Sequence, residues 1–405
     1  MPGGHGRRAI VVGGSIGGLF AALLLRQGGW DVHVCERVAA PLSGRGAGIV
    51  THPQLWRILE WLGLNPHAEF GVAVQRRVTL ARDGTVAGTL DCPQVMTSWD
   101  RLFRMLRGAW PDERYSLGEE LRSVVSGGEG VVARFGSGAV REAELLVGAD
   151  GFRSTVRAVC MGDAAPRYAG YVAWRGLIAE AEMPVRAHAD LFEHFGFCLP
   201  EGEQMLGYPV AGEGNDLRPG HRRYNFVWYR GAGEADALQE LLTDEAGHVH
   251  ALSIPPPLIR GAVVEAMRRA ADATLAPQFS AVVRATRQPF LQPIYDLESA
   301  RMACGRVALL GDSAFIARPH VGAGVTKAAE DAWALASALD DEGDVAAGLV
   351  RYEAERQPAG RRVVQRARHL GAYLQAQRNT EEERRAARRH HTAEAVMAET
   401  ALLDF

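Results

Sequence analysis

The sequence has few cysteines for its length, and none of them is arranged to hold a disulfide or a metal ion. Five cysteines occur in 405 residues. Their number is odd, they are scattered along the chain, and no C-x-x-C pair is present, which argues against both a disulfide framework and a zinc site. We therefore expect a reduced, cytoplasmic protein without a bound metal. The cysteines are Cys35, Cys92, Cys160, Cys198 and Cys304.

An excess of charge of one sign and a long apolar run are also missing. The net charge of −3 gives no electrostatic basis for binding nucleic acid. No apolar stretch is long enough to cross a bilayer, and glycines interrupt the run after Arg7 and Arg8 too soon for a signal peptide. With 47% hydrophobic residues, the chain has enough apolar material for two or three packed units. Nucleic acid and membrane are therefore not expected partners.

The first chemical signal is a glycine turn near the N-terminus. The stretch "RRAIVVGGSIGGLFAALLLRQGGWDVHVCER" is typical of a strand, a glycine turn, a helix and a second strand that ends at Glu36. Gly13, Gly14, Ser15 and Gly18 form the turn, where backbone amides at a helix start bind a pyrophosphate, and Glu36 would accept from ribose hydroxyls. The alternative is that these glycines only pack helix on strand and that Glu36 is a surface acid.

Two further turns repeat this arrangement of an apolar strand followed by an acid. "LLVGADG" ends in Asp150, and "VALLGDS" ends in Gly311 and Asp312. An ionised carboxylate only accepts hydrogen bonds, so Asp312 suits a polyol hydroxyl at the carboxyl end of a parallel strand. The alternatives are an Asx-turn helix cap at Asp150, and an Asp N-cap with a Pro turn at Asp312.

The glycines that follow Asp312 point to a flat ligand. Gly322 and Gly324 flank Ala323 just after Pro319, and a helix follows from about Thr326. Glycines let backbone amides approach a planar ring, and the positive end of the helix favours a ring that becomes anionic on reduction. A flavin satisfies all three demands: ribitol hydroxyls, a pyrophosphate and such a ring.

The order of elements predicts an α/β protein with a Rossmann-type FAD-binding domain, an antiparallel substrate domain and a helical C-terminal region. Alternating, aromatic-rich runs from Tyr168 to Tyr229 favour antiparallel strands. We expect four ranges: 1–167 as the first part of the FAD-binding domain, 168–285 as the substrate domain, 286–345 as the return segment with the Gly-Asp motif, and 346–405 as C-terminal helices.

Together, the three motifs resemble those of the single-component FAD-dependent aromatic hydroxylases, or class A flavoprotein monooxygenases. The chain departs from the usual family stretches at "GDSAF" and "GAGVT", and has Trp99 where many relatives carry a flavin-contacting Arg. A set of cofactor-binding residues is expected on this basis, most of them for FAD, with Arg45 as a candidate for NAD(P)H. They are Gly13, Gly14, Ser15, Gly18, Glu36, Arg37, Arg45, Gly46, Asp150, Gly311, Asp312, Pro319, Gly322, Ala323 and Gly324.

The resemblance also implies a reaction. Within the family, "PLSGRGAGIV", "YAGYVAWRG" and "ARPHVGAGVTKAAEDA" look most like hydroxylases of 2,6-dihydroxypyridine, so a small hydroxylated aromatic or N-heterocycle is the implied substrate. NADH or NADPH would bind transiently and reduce FAD, and oxygen would reach the ring through a flavin C4a-hydroperoxide. His320 and His52 are candidates for a base or proton relay, and Tyr208 for the substrate site. The alternatives are that the histidines are structural or exposed and that Tyr208 belongs to the core of the sheet. A homodimer is implied as well.

Other functions stay open at this point. The same family includes FAD hydroxylases of other phenolic or natural-product substrates. An NAD(P)-dependent dehydrogenase would use the first glycine turn but would need neither Asp312 nor the loop after it. A flavin-binding protein without turnover is the non-enzyme alternative, and faster NADH consumption on adding an aromatic substrate would distinguish it from a hydroxylase.

Overall fold

A computed structural model of the chain describes residues 7–43, 48–64, 70–162 and 164–403. The strands are β1 (Arg8–Val12), β2 (Asp31–Glu36), β3 (Gly48–Val50), β4 (Val72–Leu80), β5 (Val86–Ser98), β6 (Tyr115–Leu117), β7 (Leu121–Ser126), β8 (Val131–Phe135), β9 (Val140–Ala143), β10 (Leu145–Gly148), β11 (Arg167–Ala179), β12 (His194–Cys198), β13 (Gln204–Val210), β14 (Arg223–Gly231), β15 (Phe290–Glu298), β16 (Ala303–Cys304), β17 (Val307–Leu309) and β18 (Phe315–Ile316).

The helices are α1 (Ile16–Gln27), α2 (Pro53–Trp61), α3 (Trp99–Gly108), α4 (Thr155–Cys160), α5 (Val185–Leu191), α6 (Ala237–Leu241), α7 (Gly261–Thr274), α8 (Pro277–Ala285), α9 (Gly324–Glu342), α10 (Val345–Gly371), α11 (Glu381–Arg389) and α12 (Ala393–Glu399). No helix in the described ranges is both long and apolar enough to span a bilayer.

A six-stranded sheet contains the first strand–helix–strand unit. Its order is β16-β17-β10-β1-β2-β6, and β1 runs parallel to both β2 and β10. The apolar strand β1 is buried from its second residue onward, and α1 packs beside α9. The α/β fold class with its Rossmann-type unit is thereby confirmed, because buried parallel strands joined by a helix are what the apolar run and glycine turn predict.

A nine-stranded, largely antiparallel sheet forms the second layer, in the order β18-β15-β11-β14-β13-β12-β4-β5-β3. The side chains of β14 alternate between its two faces. Tyr224, Phe226 and Trp228 join a core covered by helices α5–α8, whereas Val227 and Tyr229 join the opposite core with residues of α11 and α12. The predicted antiparallel sheet with its aromatic content is therefore present.

Strand pairing does not follow the predicted ranges. Three strands from the range 1–167, namely β3, β4 and β5, belong to the nine-stranded sheet, and so do β15 and β18 from the range 286–345. The physical reason is that an alternating strand can pair in either sheet, and local sequence does not say which neighbour it will meet. The helical C-terminal region is present, with α10 extending from Val345 to Gly371.

Candidate active site

The glycine turn after β1 and the two acid-bearing turns after β10 and β17 lie side by side at one edge of the six-stranded sheet. Parallel pairing places Val12 opposite Gly148, and Gly148 opposite Leu309. Because parallel strands end at the same edge, the turns after β1, β10 and β17 meet there, as the strand-then-acid pattern predicts. The structure thus brings together segments separated by about 300 positions in the chain.

Close packing explains two glycines of the first turn. Gly13 has a left-handed backbone (φ +109°), and a Cβ at this position would lie 2.3 Å from the Ala149 carbonyl oxygen. A Cβ on Gly18 would lie 1.8 Å from the Gly13 carbonyl oxygen. Only glycine therefore lets α1 start so close to β1 and β10, which leaves room for a ligand at the turn.

The remaining positions of this turn form polar contacts. Ser15 precedes α1 without capping it through its side chain, so the first amides of α1 are free of that local acceptor. Glu36 accepts from the amides of Gly14 (2.8 Å) and Val38 (2.9 Å), one on each carboxylate oxygen. Each oxygen has capacity for a further donor, so the ribose contact predicted for Glu36 is compatible with these bonds.

A cavity of about 250 Å³ opens at this turn. Gly13, Ser15, Glu36, Arg37 and Asp150 all line it, together with Trp99. A helix N-terminus, a carboxylate and an adjoining cavity suit the phosphates and adenosine of FAD, so this part of the chain fits the cofactor. The predicted contacts Arg45 and Gly46 lie outside the described residues.

The second turn is occupied by local hydrogen bonds. Asp150 accepts from the Ser154 hydroxyl (2.6 Å) and from the amides of Thr155 (2.7 Å) and Val156 (3.1 Å) at the start of α4. This is the helix cap that sequence reasoning left as the alternative. Asp150 borders the cavity while capping α4, and its role as a cofactor contact stays a prediction.

A buried arginine that sequence reasoning did not assign connects the second and third turns. Arg157 donates to the carbonyl oxygens of Phe152 (2.9 Å), Ala164 (3.1 Å) and Ser313 (2.9 Å). These bonds fix the third turn relative to α4, because Ser313 follows Asp312 directly. The only sequence signal was an arginine shortly after the "GADG" turn.

At the third turn, Asp312 is exposed to solvent while its neighbours are buried. Gly311 adopts a left-handed backbone (φ +62°), and its amide donates to the buried Asp331 carboxylate (3.0 Å). Asp331 of α9 therefore fixes the backbone of this turn, and the Asp312 side chain remains accessible to a ligand. An accessible carboxylate at the end of β17 has the placement predicted for an acceptor of ribityl hydroxyls.

The loop from Pro319 to α9 has the backbone that a flat ligand requires. Gly322 is left-handed (φ +60°), and α9 begins at Gly324, two residues before the predicted Thr326. A Cβ on Gly324 would meet no atom within 4 Å, so the space above it is open. Ala323 precedes the helix without a side-chain cap. The positive end of α9 thus has an open approach.

His320, a predicted proton relay, is buried beneath this loop. Its Nε2 atom lies 2.8 Å from the Tyr171 hydroxyl, and its ring lies 4.4 Å from that of Tyr229. Burial, together with the charge of Arg318, lowers the pKa of His320 to about 3, so the ring is neutral near pH 7. These surroundings favour a packing role, and the relay role stays a prediction.

His52 and Tyr208 lie near opposite ends of β3 and contact different elements. His52 precedes α2, and its Nδ1 atom lies 3.0 Å from the Thr326 hydroxyl in the first turn of α9. The Tyr208 ring packs on Gly48, where a Cβ would lie 2.4 Å from the ring. Burial raises the pKa of Tyr208 to about 12, against the nearby charge of Arg175. Tyr208 is therefore a protonated donor at neutral pH.

The C-terminal segment contacts the same region, which sequence reasoning missed. Buried Arg77 donates to the carbonyl oxygens of Met397 (2.6 Å) and Thr400 (2.8 Å), and the Ala401 amide donates to the His320 carbonyl oxygen (2.7 Å). Leu402 and Leu403 line a cavity of about 750 Å³ together with His52 and Trp56. An arginine inside an alternating strand carried no signal for these long-range bonds.

Comparisons with known proteins agree with this geometry. A family described as "FAD binding domain" matches residues 7–207 and 293–367, and one described as "FAD binding domain-like" matches 168–296. The 2,6-dihydroxypyridine 3-monooxygenase of Paenarthrobacter nicotinovorans is 33% identical over 91% of both chains. The 3-amino-4-hydroxybenzoate 2-monooxygenase of Streptomyces cremeus is 32% identical over 90% of this chain and 86% of its own.

A solved structure extends the likeness to three dimensions. The structure of 2,6-dihydroxypyridine-3-hydroxylase from Arthrobacter nicotinovorans matches with a TM-score of 0.85 and 32% identity, covering 93% of this chain and 94% of that one. Fold, motif order and sequence similarity therefore coincide over nearly the whole length of the chain. The protein belongs to the FAD-dependent aromatic monooxygenases.

Proposed function

We propose that the protein hydroxylates a small aromatic or N-heterocyclic ring that already carries a hydroxyl group, with 2,6-dihydroxypyridine as the representative substrate. The meeting of the turns after β1, β10 and β17 supports the redox part of this proposal, because the first presents a helix N-terminus with Glu36 beside it and the third presents the accessible Asp312 carboxylate. The substrate class is supported by relatives that act on hydroxylated six-membered aromatic rings.

The proposed reaction consumes one NAD(P)H, one proton and one molecule of oxygen per ring. One oxygen atom replaces a ring hydrogen as a hydroxyl group, the other leaves as water, and NAD(P)⁺ is released. FAD, when bound, supplies the redox chemistry that links NAD(P)H oxidation to oxygen transfer. Glu36, Asp312 and the start of α9 would hold the cofactor, with the turn glycines providing the approach.

The protein's own task is to orient the ring and to exclude water. Tyr208 lies on the face of the nine-stranded sheet that packs with residues of α11 and α12, and its ring packs on Gly48 at the start of β3. Since its hydroxyl stays protonated, it would donate to an oxyanion oxygen of the ring and so favour the ionised ring, whose carbons are more electron-rich than those of the neutral ring. Phe195 contacts the Tyr208 ring edge-on at 5.1 Å and keeps this wall apolar.

The test follows NADH and NADPH oxidation by the purified flavoprotein, with and without 2,6-dihydroxypyridine, while peroxide and hydroxylated product are recorded together. We expect the ring to accelerate oxidation and to yield product with little peroxide. Oxidation without oxygen uptake would indicate a dehydrogenase. A rate unchanged by that ring would remove it as substrate and require a screen of other phenols and N-heterocycles. No acceleration by any ring would favour a flavin-binding protein without turnover.

The proposal also includes a homodimer, and either NADH or NADPH as the reductant. Family resemblance supports a dimer, and light scattering during size-exclusion chromatography measures it directly. The two nicotinamide nucleotides are compared by kcat/KM in the same oxidation assay.

A further inference from the structure

The last described residues of the chain fold back onto the loop that precedes α9. Helix α12 ends at Glu399, and residues 400–403, here called the C-terminal turn, follow it. Thr400 and Ala401 are only 5% and 3% exposed. Residues near the end of a chain are usually poorly ordered unless contacts tie them down. The burial of the C-terminal turn therefore requires specific partners.

The C-terminal turn contacts three consecutive residues of the loop. The Ala401 amide donates to the His320 carbonyl oxygen (2.7 Å). A Cβ on Gly322 would lie 2.8 Å from the Ala401 Cβ, so Ala401 fills the space that a side chain at Gly322 would need. Leu403 packs against the small apolar cluster that contains Val321. One hydrogen bond and two packing contacts thus fix the backbone of the loop.

The backbone of Ala401 itself is in an unfavourable conformation. Its φ of +55° is left-handed, where the Cβ of an ordinary residue comes too close to a carbonyl oxygen. Such a conformation persists only where the surroundings enforce it. The Ala401 amide is held by His320, and its carbonyl oxygen accepts from the Gln94 side chain (3.2 Å). Both polar backbone groups of Ala401 are therefore bonded to distant parts of the chain.

Arg77 of β4 holds the C-terminal turn from its other side. The residue is fully buried, and its guanidinium donates to the carbonyl oxygens of Met397 and Thr400 at the end of α12. Carbonyl groups at a helix C-terminus have no donor within the helix, so these two acceptors suit a buried cation. The guanidinium also donates to Gln94 (2.5 Å), the residue that donates to Ala401. Arg77 thus connects β4 to the C-terminal turn directly and through Gln94.

We propose that the C-terminal turn positions the flavin ring: Ala401 fixes the loop that would face the ring, and Arg77 holds the turn against that loop. The inference rests on the proposed placement of FAD beside this loop. A loop fixed at three residues presents its amides in one arrangement, and preorganised donors bind a ligand more tightly than mobile ones. Releasing the turn would therefore weaken FAD binding and alter the surroundings of the ring.

The first experiment compares Ala401→Val with Ala401→Gly. Valine is strained at a left-handed φ, and its added methyl groups would have to fit beside Gly322, so it should displace the turn. Glycine adopts this φ freely and keeps the amide, which makes it the matched control. FAD-free forms are titrated with FAD by flavin fluorescence. We expect Ala401→Val to weaken binding about tenfold, and Ala401→Gly to stay within about threefold.

Visible circular dichroism at saturating FAD reports the surroundings of the ring, which a loss of stability alone does not change. The spectrum of Ala401→Val should differ from that of the unmodified chain, and the spectrum of Ala401→Gly should match it. If Ala401→Val keeps both the FAD affinity and the spectrum of the unmodified chain, the inference is overturned.

Hydrogen exchange of the loop amides separates this inference from the proposed site. In the unmodified chain, FAD should slow exchange of the amides of residues 320–324 at least about tenfold. If FAD leaves their exchange unchanged, the placement of the flavin beside this loop fails, and the inference fails with it. If FAD protects the loop but Ala401→Val exchanges and binds FAD like Ala401→Gly, only the inference fails.

A second set of variants tests Arg77. Arg77→Met should weaken FAD binding about tenfold, whereas Arg76→Met, at a neighbouring side chain that is 58% exposed, should stay within about threefold. In a chain that ends after Thr400, Arg77→Met should cause no further loss. Equal losses in the two arginine variants, or a full additional loss in the shortened chain, would contradict an action of Arg77 through the turn. Arg77→Lys replaces Arg77→Met should the methionine variant not fold.

Discussion

Gly18 and Gly17 are adjacent in the first turn of α1 but have different surroundings, so alanine at each gives a matched test of the cofactor turn. A Cβ on Gly18 would lie 1.8 Å from the Gly13 carbonyl oxygen, which is backbone and has no freedom to rotate away. A Cβ on Gly17 would lie 3.1 Å from Leu310 Cδ1, the end of a flexible side chain, and 3.4 Å from Ala328 Cβ. Gly18→Ala must therefore move the helix, and Gly17→Ala need not.

The expected magnitudes follow from this difference. Gly18→Ala has to lengthen this contact from 1.8 Å to at least 3.0 Å, an overpacking that costs about 1–3 kcal/mol of unfolding free energy. The displaced amides would lose a charge-assisted hydrogen bond to the pyrophosphate of about 1.5–3 kcal/mol, which weakens FAD binding about tenfold to hundredfold. Gly17→Ala gains up to about 1 kcal/mol in helix propensity and should keep FAD affinity within about threefold.

Both quantities are measured on the same proteins. Flavin fluorescence during titration of the FAD-free forms gives the affinities, and thermal unfolding of those forms gives the stabilities. A loss of about 2 kcal/mol lowers the unfolding temperature of a chain this long by only about 2 °C. FAD affinity is therefore the more sensitive readout. Gly18→Ala with unchanged FAD affinity, or an equal loss in Gly17→Ala, would refute the assignment of this turn to the pyrophosphate.

Three further predictions follow from other parts of the site. Tyr208→Phe should raise the KM for the ring and the peroxide yield while leaving FAD affinity unchanged. Steady-state kinetics with peroxide detection measures both quantities, and unchanged values would contradict a contact between the Tyr208 hydroxyl and the substrate. Arg157→Met should lower the unfolding free energy by about 2–4 kcal/mol, because three carbonyl oxygens lose their donor; chemical denaturation compares it with exposed Arg153→Met, which should cost under about 0.5 kcal/mol. Burial raises the pKa of Asp296, but the hydrogen bonds and charges of Arg368 and Arg318 outweigh this effect and lower the pKa. The ionised Asp296 therefore stabilises the folded protein fully above about pH 4, and this stabilisation is lost as the pH falls through the folded-state pKa. The stability difference between the unmodified chain and Asp296→Asn should shrink below about pH 4, and a difference that does not change with pH would contradict the ionised pair.

The acid turns show how far sequence alone reaches. The turns after β10 and β17 combine an apolar strand, a glycine and an acid within a few residues, and the turn after β1 combines an apolar strand with glycines. Such local patterns predict their own backbone: the strand before Gly13, the helix after it and the strand that ends at Glu36 all lie where the sequence places them. Parallel pairing then brings the turns together by a general rule of α/β sheets. The local patterns and that rule were sufficient to predict where these turns lie.

Contacts between distant segments carried no comparable signal. His320 stands in the loop beside the proposed flavin ring, which suggested a proton relay, yet Tyr171, Tyr229 and the tail amide of Ala401 surround it from elsewhere in the chain. Arg77 has the same sequence context as any arginine in an alternating strand. Two of its acceptors, the Met397 and Thr400 carbonyl oxygens, lie 320 and 323 positions away.

The sequence by itself thus determined the class of fold, the positions of the glycine and acid turns, and the family, because these depend on short patterns of glycine, acid and apolar residues. The tertiary structure alone decided which sheet each alternating strand joins, that Arg157 connects the second and third turns, and that the C-terminal segment contacts the His320 loop. Those outcomes depend on burial and on charges that meet only after folding. A side chain acquires its pKa and its hydrogen-bond partners from that environment and not from its neighbours in the chain.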